Sequence, residues 1–67
     1  MAEHQLYTLE QQITCIRREL AMRKNVYPKW VMSGKMKLEA ADHEISCLQA
    51  VHDTLSALVL VLERAKP

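Results

Sequence analysis

Phenylalanine is absent from this 67-residue chain, glycine occurs once, and proline and cysteine occur twice each. One glycine leaves no glycine-rich loop to cradle a phosphate, and no G-x-S-x-G turn is present. Two cysteines, Cys15 and Cys47, are too few for a disulfide scaffold, and no C-x-x-C or H-x-x-x-H pair offers the ligand spacing of a structural zinc site. No segment alternates apolar and polar residues as a half-buried strand would. The longest apolar stretch, Leu55 to Leu62, is broken by Ser56 and is too short to span a bilayer. The opening Met1-Ala2-Glu3-His4-Gln5 is polar, unlike a signal peptide, so a reducing cytoplasm with free thiols is expected. The length allows one domain, residues 1–67, with a thin margin of stability. Chains of this size gain from disulfides, a metal or oligomerisation.

What is abundant is Leu, Ala, Met, Glu, Gln, Lys and Arg, all good helix formers. Leu6, Leu9, Ile13, Ile16, Leu20, Arg23 and Tyr27 recur at steps of three and four, a heptad seam with one charged member. This predicts a first helix over about residues 3–25. Pro28 pushes the residue before it out of helical geometry. Gly34, the sole glycine, stands where a left-handed helix cap needs it. Residues 26–36 are therefore expected to form a corner, with a short helical turn over 28–33. A second helix is expected over about 37–64, with Leu38, Ala41, Ile45, Leu48, Val51, Leu55, Leu58 and Leu62 as its inward stripe. Ala40, Cys47, Thr54 and Val61 extend the flank of that stripe. Glu39, Asp42 and Glu44 near its start and Arg64 and Lys66 at its end suit the helix dipole.

A short corner folds the helices back antiparallel. The fold class is then all-α, an antiparallel helical hairpin. Leu58 to Leu62 are five consecutive apolar residues, and on a helix these point in every direction. One partner helix cannot cover them, so a twofold dimer forming a four-helix bundle is expected. Leu55, Leu58, Val59, Val61 and Leu62 are its candidate interface.

Little in the chain suggests reaction chemistry. His43 and Cys47, four residues apart, make half a zinc site at best. The simpler reading is two solvent-facing residues, and neither metal nor cofactor is expected. His52 lies beside the stripe and next to Asp53. It could make a pH-sensitive contact, but a core-edge residue with its tip in water is the commoner case. Glu39, Asp42 and Glu44 read as a solvated helix start, so an enzyme is not expected.

Charge is unevenly spread. Residues 1–16 carry −2, residues 17–37 carry +6 and residues 38–67 carry −3. Tyr27 and Trp30 lie within the basic middle, and cations among aromatics can grip phosphates and stack on bases. No nucleic-acid-binding motif accompanies them. Aromatic and arginine residues also anchor protein interfaces. The candidate partner-binding residues are Arg23, Tyr27, Lys29, Trp30, Met32 and Lys35, with Trp30 either closing the bundle end or presented to a partner.

The run from Arg18 to Met36, holding Val26-Tyr27-Pro28-Lys29-Trp30-Val31 and Gly34-Lys35, followed by Ala41-Asp42-His43-Glu44-Ile45, resembles a group of small phage- and prophage-encoded proteins. The resemblance covers roughly residues 13–55 and brings no residue roles with it. It implies a context: small early phage proteins bind and disable host proteins. Some are helical dimers that sequester a transcription regulator, as quorum-sensing anti-activators do, or block a pilus motor. The expectation is a homodimer in the bacterial host cytoplasm that inhibits or modulates a host protein, without a membrane. The alternative is a small nucleic-acid-binding regulator using the basic corner.

Overall fold

A computed structural model describes residues 7–66. They form two helices, α1 (Leu9–Met32) and α2 (Leu38–Arg64), joined by the corner 33–37. The described residues hold helices and no strand, as the composition favours, and α1 packs along α2. Arg23 of α1 reaches Glu44 of α2, and Arg17 and Leu20 share a groove with Gln49 and His52. Numbers rise along one helix as they fall along the other, so the hairpin is antiparallel.

Helix α1 begins at Leu9, with Tyr7 and Thr8 outside it; residues 3–6 of the expected start lie outside the described residues. A capping box fixes this start. Gln11 N donates to Thr8 Oγ1 at 3.0 Å, and Thr8 N donates to the Gln11 side-chain oxygen at 2.8 Å. These bonds satisfy amides that a helix start leaves without partners.

The expected end of the first helix is corrected. It continues through Pro28 to Met32, so Tyr27 and Trp30 belong to α1 and not to a corner over 26–36. Proline removes one backbone donor and crowds the carbonyl four residues earlier, but it does not forbid helix on its far side. Pro28 is exposed, while Tyr27 and Val31 on either side of it are half-buried. Burying those two continues the seam for another turn, which outweighs one missing hydrogen bond. The helix then stops at Gly34, whose φ is 80°. Gly34 N donates to Val31 O at 3.1 Å and Lys35 N to Trp30 O at 2.8 Å, the paired bonds of a Schellman cap.

On α1 the inward face follows the heptad seam. Ile13 and Leu20 are buried, and Leu9, Ile16, Arg23 and Tyr27 are half-buried. On α2 the inward face departs from expectation. Ala41 is buried, and Ile45, Leu48, His52, Leu55 and Val59 are half-buried. Leu38, Val51, Leu58 and Leu62 are exposed instead. Two apolar registers interleave on α2, and the one facing α1 runs through His52 and Val59. Ile13, Leu20 and Ala41 are the only buried residues among those described. A pair of helices has little interior, because each presents most of its circumference to water.

Candidate functional site

Four side chains follow one flank of α1 toward the corner. Arg23 Nε donates to Glu19 Oε2 at 3.0 Å, and the Arg23 guanidinium carbon lies 5.9 Å from the centre of the Tyr27 ring. The Tyr27 and Trp30 rings stack, with centroids 5.6 Å apart and planes at 27°. Spacings of four, four and three place Glu19, Arg23, Tyr27 and Trp30 in one row. Arg23 also crosses to α2, donating Nη1 to the Glu44 carbonyl at 3.1 Å and lying 3.6 Å from Glu44 Oε1. The Glu19 hydrogen bond, with smaller help from the Tyr27, Glu19 and Glu44 charges, raises the guanidinium above its usual value against the opposing cost of burial.

The expected partner-binding residues therefore divide. Arg23 and Tyr27 are half-buried, and Arg23 ties the two helices together. Trp30 is 43% exposed, Met32 is 90% exposed, and Lys29 and Lys35 are exposed around them. Trp30 thus offers one ring face to Tyr27 and much of the remainder to solvent. It does not close the hairpin end as a buried plug would.

The expected dimer residues divide too. Leu55 and Val59 turn toward α1, whereas Leu58, Val61 and Leu62 remain exposed. With Cys47, Val51 and Thr54 they form a second stripe at steps of three and four, about a quarter-turn around α2 from the first. The sequence carries this register plainly, as Cys47, Val51, Thr54, Leu58 and Val61. Because Val51 and Leu58 also fit the inward stripe, Cys47, Thr54 and Val61 read from sequence as its flank rather than as part of a separate face. Helix α2 also contains an 18-residue window of mean hydropathy 1.6, long and apolar enough to cross a membrane by length and composition. An uninterrupted-run criterion misses this, because isolated polar residues break the run without lowering the average much.

Both cysteines are free and exposed. Among the described residues no three His, Cys, Asp or Glu side chains gather as a metal site would need. His52 Nδ1 lies 3.2 Å from Asp53 Oδ1, and Gln49 Nε2 donates to the same oxygen at 3.0 Å. The His52 contact, then the Gln49 bond, hold the Asp53 carboxyl below the usual carboxylate range. Arg17, Lys24, Gln49 and His52 rim an open groove floored by Leu20 and Ala21. Comparison with protein-family models, curated proteins and solved structures gives no match.

Proposed function

We propose that this protein is a homodimeric helical interaction module that binds another protein and performs no catalysis. The observation that carries the reading is the contrast between three buried residues and an exposed apolar stripe along α2. A soluble chain gains from covering such a stripe. The low-cost way is association with a second copy, which supplies the interior that one hairpin lacks.

The last turn of α1 and the corner after it supply the second surface. Trp30 and Met32 are exposed apolar groups among Lys29 and Lys35, on a backbone fixed by the Gly34 cap. A large ring presented on ordered backbone loses little freedom on binding and makes a good anchor. Its cationic rim suits an acidic protein surface. The resemblance to phage-encoded proteins points to a bacterial host protein as the target, with a transcription regulator as the leading kind. The competing reading is nucleic acid, favoured by Arg17 and Lys24 along the groove as well as by the corner lysines.

The test is capture from bacterial lysate by the immobilised protein and by its Trp30→Ala variant, at low and high salt after nuclease treatment. The reading expects host protein retained by the wild type across the salt range and lost by the variant. Retention that depends on nucleic acid and falls steeply with salt would replace it with the nucleic-acid reading.

A further inference from the structure

The exposed stripe on α2 has an internal symmetry. Cys47 lies seven residues before Thr54 and Val61 seven after, Val51 three before and Ala57 three after, Ala50 four before and Leu58 four after. All seven are exposed in the hairpin, and none belongs to the inward face, which runs through Ile45, Leu48, His52, Leu55 and Val59. We infer that α2 pairs antiparallel with α2 of a second copy, about a twofold axis passing close to Thr54. The inference rests on the homodimer reading and fixes its face and direction.

Packing favours this arrangement. In an antiparallel pair centred on Thr54, residues equidistant from it on opposite sides face each other. Val51 then faces the partner's Ala57, and Leu58 faces the partner's Ala50. Each large side chain meets a small one, the complementarity by which helices interdigitate closely. Cys47 faces the partner's Val61, so the apolar stripe is matched along its length.

Charge selects the direction. Glu44 lies ten residues before Thr54 and Arg64 ten after, so each Glu44 approaches the partner's Arg64. A parallel pair in register would instead set Glu44 against the partner's Glu44 and gather both basic corners at one end. Like charges held together are unfavourable, and opposite helix dipoles align only in the antiparallel pair. The antiparallel dimer carries its two corners at opposite ends. Each corner lies about 24 Å from the axis, the rise of 16 helical residues.

Disulfide trapping tests direction and face separately, using exposed positions whose change leaves the inward packing intact. All variants carry Cys15→Ser. Cys47 together with Val61→Cys should give covalent dimers under oxidised glutathione, because the two positions face each other. Cys47 alone should not, since the two Cys47 positions stand about 21 Å apart along the pair, beyond the roughly 7 Å that a disulfide tolerates. Thr54→Cys with Cys47→Ser should trap readily at the axis. Efficient trapping through Cys47 alone would mean a parallel pair and overturn the inference. Failure at Thr54→Cys in a sample that sediments as a dimer would place the interface elsewhere, overturning the inference while leaving the homodimer standing. A chain that sediments as a monomer removes both. If that monomer also floats with neutral phosphatidylcholine vesicles, the stripe belongs to a membrane.

Discussion

Arg23 shows how one residue sets the geometry of the hairpin. Its guanidinium meets Glu19, Glu44 and Tyr27 at once, which a lysine ammonium cannot do with the same planar fork. Charge-assisted hydrogen bonds contribute about 1.5–3 kcal/mol when shielded, and solvent access at Arg23 reduces this to about 1 kcal/mol. Arg23→Ala should lower hairpin stability by that amount in urea denaturation, and Arg23→Lys should recover little of it. Full recovery by lysine would mean that charge alone suffices. Trp30 is the opposite case. Removing a fully buried aromatic ring costs about 3–5 kcal/mol, but a ring 43% exposed should cost about half of that or less. Trp30→Ala is therefore expected to lower melting without unfolding the chain, while lowering partner affinity by about 2 kcal/mol or more. Wild-type emission should resemble partly exposed indole and shift to the blue when a partner binds. Unfolding of the Trp30→Ala chain would reassign the ring to the fold. Asp53 contributes through pH. Its lowered carboxyl value means that its stabilising contacts are present above the usual carboxylate range and are lost as pH falls through the folded value. Asp53→Asn should accordingly flatten the acid limb of the stability profile.

At the scale of the element, helix ends follow local chemistry and helix continuity follows packing. Pro28 lies inside α1 at a cost of up to about 3 kcal/mol against alanine. Pro28→Ala should therefore raise the melting temperature, and a fall would mean that the proline geometry is required by the packing of Tyr27 and Trp30. Gly34→Ala should cost about 1 kcal/mol, because φ of 80° strains any residue with a Cβ, although nothing lies in its way. Helix α2 has Lys37 at its N-cap position and no side-chain cap bond. Lys37→Ser supplies one and should stabilise the chain by about 0.5–1 kcal/mol, measured by thermal melting. Some of this was legible beforehand. Gly34 identified its own left-handed cap, and the α1 heptad named Ile13 and Leu20. The capping box at Thr8 and Gln11 was present in the sequence but unused. The expected end of α1 near residue 25 gives way to Met32, because the local rule against helix before proline yields to the burial of Tyr27 and Val31.

At the scale of the molecule, the antiparallel hairpin followed from two long helices and a short corner. The choice of faces on α2 was harder to read. Val51 and His52 are neighbours, and either can continue the line from Ile45 and Leu48 within the tolerance of a 3.6-residue period. Hydrophobicity favours Val51, yet the structure sets His52 inward and leaves Val51, Leu58 and Val61 outside. A polar residue inside and a valine outside make sense when a second interface competes for the better apolar register. Leu58→Asp should then separate the proposed dimer, since a lone carboxylate in a dry interface costs several kcal/mol. It should spare the inward packing of a single hairpin, because Leu58 faces away from it. The account depends most on the stripe being covered by a second copy, and sedimentation equilibrium at micromolar concentration tests that directly. The account predicts about twice the chain mass of 7.7 kDa for the wild type; a stable, monodisperse species at the mass of one chain would contradict it.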